Sequence, residues 1–238
     1  MSIYSNALIL GCLACTSLLA GSFNVSPVRV ELSARQPSAS IAVRNVTDEP
    51  SVVQVSALRW TPKGNGEEYR DTDDILLNPP IFSLAPGQVQ YVRLGLRRPS
   101  ATAVEVSYRL VLEEVPPPAK AGFSGVTPLL QIRIPAFVAP AGKTAPELNW
   151  SFNGSEAKWK LTVSNRGNIH VQIKRLILTG ESHDGGGAQR TSEMNVYVLS
   201  GGTHEWDLDT HAFAAGPVSL SALTDHGEIH VQLEKDVP

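Results

Sequence analysis

Cysteine and charge are both scarce at the start of this 238-residue chain. Its two cysteines, Cys12 and Cys15, lie within the first 22 residues, which contain no Lys, Arg, Asp or Glu. An apolar run over 7–20, followed by small residues up to Ser22, is typical of a secretory signal peptide cleaved before Phe23, although no basic residue precedes it. The run is short for a membrane span, and neither cysteine follows a good lipidation motif, so cleavage is favoured over an anchor. Both cysteines would leave with the signal, which excludes a disulfide or a Cys-x-x-Cys redox site from 23–238.

Charge and motif patterns exclude two further classes of function. The net charge is −3 and the pI is about 6.1, so nothing in the charge favours nucleic-acid binding. The chain has no Gly-x-Ser-x-Gly, His-Glu-x-x-His, Walker or dinucleotide-binding motif, so we expect neither an enzyme nor a bound cofactor. The six histidines all follow residue 169, and none is paired with another at a tight metal-ligand spacing, so we expect no metal site.

The abundant residues indicate an all-β chain. Glycine (19) and proline (17) are frequent, and no segment repeats apolar residues every 3.6 positions. Over 23–139, short alternating runs recur about every 10 residues, as in an immunoglobulin-like β-sandwich. In the first run, Val28, Val30 and Leu32 are predicted to share one face of the strand, and Pro27, Arg29 and Glu31 the other. The predicted strands are 23–32, 39–46, 52–60, 73–77, 88–96, 104–115 and 123–137.

The pattern restarts after residues 140–146, which have the composition of a linker. Residues 140–238 are predicted to form a second, smaller sandwich that ends in a hairpin around 225–227. The alternating runs of this half are 158–163, 170–174, 195–199, 218–223 and 229–233.

The run 123–137 is apolar along one whole face. That face carries Val126, Pro128, Leu130, Ile132 and Ile134. Prolines 128 and 135 have no N–H to give to a neighbouring strand, so the pattern favours a strand at the edge of a sheet. A long apolar edge strand can pair with another chain. An ordinary core strand of the sandwich fits the same periodicity equally well.

An ordered set of short motifs runs through both halves. They are SPVRVEL at 26–32, LNPP at 77–80, FSLAPG at 82–87, VRL at 92–94, YRL at 108–110, EEVPP at 113–117, FVAP at 137–140, VSNRGN at 163–168 and YVLSG at 197–201. This set resembles the periplasmic pilus chaperones of chaperone–usher systems over residues 23–238. The motifs at 108–110 and 197–199 are closest to the archaic branch of that family.

The resemblance implies two immunoglobulin-like domains, 23–139 and 140–238, in a boomerang arrangement around a cleft, with residues 1–22 removed on export to the periplasm. It also implies donor-strand complementation, in which the chaperone lends one of its strands to complete a pilus subunit and an outer-membrane usher then receives that subunit. The side chains expected to enter the subunit are those of Val126, Pro128, Leu130, Ile132 and Ile134. Leu129, on the opposite face, is left for the chain's own core.

Basic residues in the cleft hold the subunit's C-terminal carboxylate in this family. Arg29 matches the family's cleft arginine. The family's second basic residue, a lysine near the end of the last strand, aligns with Pro135, which is a departure from the family's pattern. Arg133 and Arg109 are the candidates to replace it.

The alternative function is that of a structural or adhesive surface protein, either pilin-like or carbohydrate-binding. A pilin is usually one incomplete sandwich, and a lectin should show clustered aromatic residues or calcium ligands, whereas the four tryptophans here are scattered. The expected partners are therefore pilus subunits, an outer-membrane usher and, for the free protein, a second copy at the exposed edge.

Overall fold

The structure, a computed structural model, describes residues 23–98, 102–116, 128–155, 158–182, 184–209, 213 and 216–233. All the regular secondary structure in these residues is β-strand, and they include no helix that is long and apolar enough to cross a membrane. The predicted signal peptide and Val126 lie outside the described residues.

In the described part of the chain, the first sandwich has ten strands. They are β1 (Phe23–Ser26), β2 (Val30–Leu32), β3 (Ser38–Asn45), β4 (Ser51–Lys63), β5 (Gly66–Asp71), β6 (Ile75–Asn78), β7 (Ile81–Leu84), β8 (Val89–Leu96), β9 (Val106–Glu114) and β10 (Gln131–Val138). One sheet has the order β1-β3-β8-β6, and the other has the order β2-β10-β9-β4-β5, with β7 also paired to β4. Alternating side chains such as Ile41, Val92 and Leu110 meet between the sheets and form the first core.

The first predicted strand, 23–32, is two strands that belong to different sheets. β1 pairs with β3, whereas β2 pairs with β10. The chain crosses from one sheet to the other between Ser26 and Val30, so the alternation is interrupted there. Val28 is 70% exposed, whereas Val30 and Leu32 are buried in the first core.

Two short strands of the first sandwich, β5 and β7, were not predicted. β5 forms a hairpin with β4 and consists largely of polar residues that contact solvent. Its turn contains Gly64 at a positive φ of 58°, a conformation that favours glycine. β7 has only four residues and pairs with β4 beyond the span of β5.

The second sandwich has seven strands in the described residues. They are β11 (Leu148–Ser155), β12 (Lys158–Asn165), β13 (Val171–Glu181), β14 (Gly187–Val198), β15 (Thr203–Asp209), β16 (Val218–Thr224) and β17 (Gly227–Leu233). The two sheets have the orders β11-β12-β15 and β14-β13-β16-β17. β11 and β15 were not predicted, although apolar residues alternate towards the second core in both: Leu148, Trp150 and Phe152 in β11, and Trp206 and Leu208 in β15. The predicted class, all-β with two sandwich domains, is confirmed, whereas the boundary at 139/140 stays a prediction.

The linker lies directly against the predicted turn at 165–168. The Ala145 N–H donates to Asn168 Oδ1 at 2.9 Å. A Cβ on Gly167 would lie 2.4 Å from the Ala145 carbonyl oxygen, so only glycine allows this approach. The buried Asn165 side chain accepts a hydrogen bond from the Gly167 N–H at 2.9 Å and thereby holds the turn.

Candidate functional site

Strand β10 has two halves with different neighbours. Ala136, Phe137 and Val138 pair with β2 on one side and with β9 on the other. From Gln131 to Ile134, β9 is the only partner strand among the described residues. Within the described strands, the predicted edge is therefore found in the N-terminal half only. The C-terminal half lies inside the sheet, because β2 runs beside it for three residues.

Main-chain hydrogen bonds show which residues point towards the free edge. The Leu130 carbonyl oxygen accepts from Glu114 of β9 at 3.0 Å, whereas the Ala139 N–H donates to Leu32 of β2 at 2.8 Å. Because successive residues of a strand point their N–H and C=O groups to opposite edges, those of Gln131 and Arg133 point to the free edge. Pro135 belongs to the same edge and has no N–H. The free main-chain N–H donors of this edge therefore end at Arg133, just before the residues of β10 that pair with β2.

The apolar side chains of this strand lie on the face that covers the first core. Ile134 is 3% exposed within that core, and the half-buried Leu130 and Ile132 pack at its margin. Pro128 is exposed, and Leu129 is 44% exposed. The expectation that Leu129 would serve the chain's own core is therefore wrong, because its parity directs it away from the facing sheet. The apolar row instead covers the margin of the core and continues to the free edge.

Two arginines flank Pro135 on the other face of this sheet. Arg109 of β9 lies directly opposite Pro135. Val30 pairs with Ala136 in parallel register, so the preceding residue, Arg29, lies beside Pro135 on the other side. Tyr197 of the second sandwich interacts electrostatically with both guanidinium groups. Pro135, which stands where the family has a lysine, thus has a guanidinium group on each side.

The two arginines are held by different contacts. Arg29 Nη1 donates to Asp225 Oδ2 at 2.8 Å, and its Nε lies 3.0 Å from Glu31 Oε1. The guanidinium carbon of Arg109 lies 3.6 Å from the ring centroid of Trp60 and 5.5 Å from that of Tyr197. Arg109 also interacts with the Tyr69 hydroxyl through a side-chain hydrogen bond, and the edge of a stacked guanidinium plane can in addition meet a carboxylate.

Arg133 lies farther along the strand, towards the free half of β10. Its side chain is exposed, and its Nε donates to Gln131 Oε1 at 2.8 Å. The nearest aromatic ring in contact with its guanidinium is Tyr69, at 6.0 Å. The structure therefore brings Arg29 and Arg109 together at Tyr197, and Arg133 lies outside this group.

An aromatic cluster joins the two domains below the arginines. Trp60 and Phe137 come from the first sandwich, and Tyr197 and Leu199 come from the second. The Tyr197 ring lies 5.8 Å from Trp60 and 5.7 Å from Phe137, measured between centroids. Sequence reasoning placed Trp60 at the end of a strand and identified 137 and 197 only as parts of motifs, so this contact was missed.

A buried histidine also connects the domains and was missed. His170 Nδ1 lies 2.8 Å from Glu105 Oε1 of the first domain, and its Nε2 lies 3.6 Å from Asp225 Oδ2. Burial alone would lower the pKa of His170, but the two carboxylates raise it above the ordinary histidine value. Burial would likewise raise the pKa of Asp225, but His170, the Gln172 N–H and Arg29 hold it well below its usual range. His170 and Glu105 are 65 positions apart, so no local pattern could have revealed the pair.

The arrangement can bind an extended chain and an anion side by side. The free edge offers main-chain donors and acceptors, and the arginines offer positive charge next to it. Among the described residues, no group of three His, Cys, Asp or Glu side chains is placed to hold a metal ion.

The first half of the chain matches a known protein family. Residues 22–144 match the family described as "Pili and flagellar-assembly chaperone, PapD N-terminal domain". No curated protein sequence matches the chain.

Solved structures match both domains. One match is a chain of the CsuC–CsuE chaperone–tip adhesion subunit pre-assembly complex, from archaic chaperone-usher Csu pili of Acinetobacter baumannii. It is 20% identical to this chain, with a TM-score of 0.68. The match covers 90% of this chain and 99% of that chain. A chain of the complex of the SafA pilin with the SafB chaperone of Salmonella enterica is 18% identical, with a TM-score of 0.60. This match covers 89% of this chain and 96% of that chain. The periplasmic chaperone SfaE is 16% identical, with a TM-score of 0.56, and the match covers 89% of this chain and 99% of that chain.

At these identities the solved structures establish the fold, and the family match covers more than half of the chain. The chain therefore belongs to the PapD-like family of pilus-assembly chaperones of the chaperone–usher pathway, whose members are not enzymes.

Proposed function

We propose that this chain is a periplasmic chaperone that captures pilus subunits by donor-strand complementation and delivers them to an outer-membrane usher. The free half of β10 is the donated strand. Leu130 and Ile132, together with Pro128 and Val126, supply the donated side chains, and Ile134 ends the apolar row inside the chain's own core. The observation that carries the proposal is the edge at Gln131 to Ile134, where the described strands leave one side of an apolar strand unpaired.

The position of the apolar row supports this mechanism. Leu130 and Ile132 are only half covered by their own sandwich. A second sandwich that continued the sheet at this edge would cover the remainder and gain roughly 1 kcal/mol for each side chain. Its edge strand would also receive the main-chain groups of Gln131 and Arg133 as hydrogen-bond partners.

The two converging arginines support a carboxylate anchor. A subunit's C-terminal carboxylate placed over Pro135 would lie between Arg29 and Arg109, which both border Tyr197. We infer that Arg109 takes the role of the lysine that the family has at this position, and that Arg133 contributes less because it lies outside this group. Such an anchor sets the register of the subunit's final strand along β10.

The relatives support the choice of partner and compartment. Two of the solved structures are complexes of a chaperone with a tip adhesion subunit or a pilin, and a third is named as a periplasmic chaperone. In the absence of a subunit, the same edge would pair with a second copy of this chain. Family membership sets aside the alternative of an adhesive surface protein.

The test is capture of a pilus subunit from the same genome, co-expressed in the periplasm with the tagged mature chain. Ile132→Asp places a charge in the proposed groove and should lower the captured subunit by more than about tenfold. The matched control, Gln131→Asp, places the same charge on the opposite face of the same strand and should capture normally. Capture by Ile132→Asp at the wild-type level would exclude this strand as the donor.

A further inference from the structure

His170 lies where the two domains and the proposed anchor meet. Its main-chain N–H and its Nδ1 both face Glu105 Oε1, at 3.1 and 2.8 Å. Its ring stacks on Phe137 of β10, with centroids 3.5 Å apart and planes 9° apart. The side chains of His170, Glu105 and Asp225 are only 6%, 5% and 8% exposed, so water screens their charges poorly. One imidazole therefore holds a carboxylate from each domain.

The geometry fits the doubly protonated ring. Each nitrogen faces a carboxylate, and Nε2 is buried without a hydrogen-bond partner, 3.6 Å from Asp225 Oδ2. A neutral imidazole with its proton on Nδ1 would direct the Nε2 lone pair at that carboxylate, which is repulsive. Only the imidazolium attracts both carboxylates, and the raised pKa of His170 agrees with this form.

The groups around the ring carry an excess of negative charge. Asp225 also holds Arg29, at 2.8 Å, and accepts the Gln172 N–H at 2.8 Å. The titratable or charged groups that face His170 directly or across one neighbour are Glu105, Asp225, Glu31, Arg29, Tyr197, Arg109 and His226. These groups include three carboxylates against two arginines, so the proton on His170 offsets the excess negative charge around the ring.

We propose that the His170 imidazolium is a positioning residue for subunit capture, because it ties the domains together through Glu105 and holds Asp225 so that Arg29 faces the cleft. This inference rests on the proposed carboxylate anchor and adds its regulation by pH. When His170 loses its proton, Asp225 loses one of its positive partners, the cleft becomes more negative, and the bond between the domains weakens. All three changes oppose binding of a carboxylate.

The direction of the pH dependence follows from the sign of the shift. The pKa of His170 is raised in the folded chain, so its contribution to stability is complete below the ordinary histidine value of about 6.5 and is lost as the pH rises through the folded-state pKa. Asp225 stays ionised throughout this range because its pKa is depressed. Domain coupling and subunit capture should therefore both fall on the alkaline side.

The experiment measures the titration of His170 by NMR in the mature chain, with the signal assigned by its loss in His170→Gln. It also measures capture of the co-expressed subunit and the domain arrangement by small-angle scattering, from pH 6 to pH 9. We expect a pKa above the ordinary value, a change of scattering profile across that titration, and about tenfold weaker capture at the alkaline end, where the cleft is more negative. His170→Gln should capture about as weakly as the wild type does at high pH, and its capture should be independent of pH.

The matched control is His230→Gln, because His230 lies in the same domain with a 72% exposed side chain, and this variant should keep the wild-type pH profile. A His170 that titrates at or below the ordinary value, or a wild-type scattering profile unchanged by pH, overturns the inference even if His170→Gln fails to fold. Normal titration and scattering without capture at any pH would count against the proposed function and support the domain clamp.

Discussion

The two halves of β10 are one continuous strand with different surroundings. The half at Ala136–Val138 is paired on both edges and fully buried. The half at Gln131–Ile134 is paired on one edge in the described residues, and its outward side chains contact solvent. The sealed half can therefore hold the strand in register, while the free half can accept a partner without any loss of the chain's own fold.

The comparison also explains how an aggregation-prone edge is tolerated. An unpaired apolar strand is a hazard in a free protein. Here the free edge is short, and on its outward face it carries the polar residues Gln131 and Arg133. A subunit that lacks a strand has its own apolar groove to cover, so it gains more from this edge than a complete sandwich would.

Phe137→Ala, in the sealed half, should have the largest effect on stability. Its ring is buried between Trp60, Tyr197 and His170, and removing it should lower the free energy of unfolding by about 3–5 kcal/mol. Chemical denaturation of the mature chain followed by circular dichroism measures this. A loss below about 1 kcal/mol would mean that this half is not sealed as described.

A matched pair of isoleucines tests the gradient along the strand. Ile134→Ala should lower the free energy of unfolding by about 2–4 kcal/mol, whereas Ile132→Ala, half-buried at the free edge, should lose about 1–2 kcal/mol. Ile132→Ala should reduce capture of the subunit more than Ile134→Ala does, once the captured amount is corrected for the fraction of folded chaperone. Equal losses of stability would remove the distinction between the two halves.

The arginines beside Pro135 test where the anchor lies relative to the two halves. Arg29→Ala and Arg109→Ala should each lower capture by about tenfold while the chain stays folded, because each removes one cation from the carboxylate site. Arg133→Ala is the control, with the same change of charge two residues into the free half. Greater loss with Arg133→Ala than with Arg109→Ala would move the anchor to Arg133.

The smallest effect is expected for Gln131→Ala. Its side chain is exposed on the face opposite the apolar row, so the free energy of unfolding should change by less than about 0.5 kcal/mol. Capture should be unchanged, because the main-chain groups at the free edge are kept. A clear loss of capture would show that the outward face takes part in binding.

Several features followed from local patterns. The alternation over 130–134 predicted an apolar row, prolines predicted an edge, and the motif at 26–32 pointed to Arg29. β5 was missed because its residues are polar. The crossing between β1 and β2 was missed because an alternating pattern is the same whichever sheet the strand joins. The choice between Arg109 and Arg133 stayed open because it depends on cross-strand register.

The order of apolar and polar residues was enough to determine an all-β chain with two sandwiches, because the period of a strand is local. Tertiary structure alone decided that β2 seals only three residues of β10, that Arg29 and Arg109 flank Pro135, and that His170 lies between Glu105 and Asp225. These relations join residues far apart in the chain, and they exist only once the sheets have packed and the two domains have met.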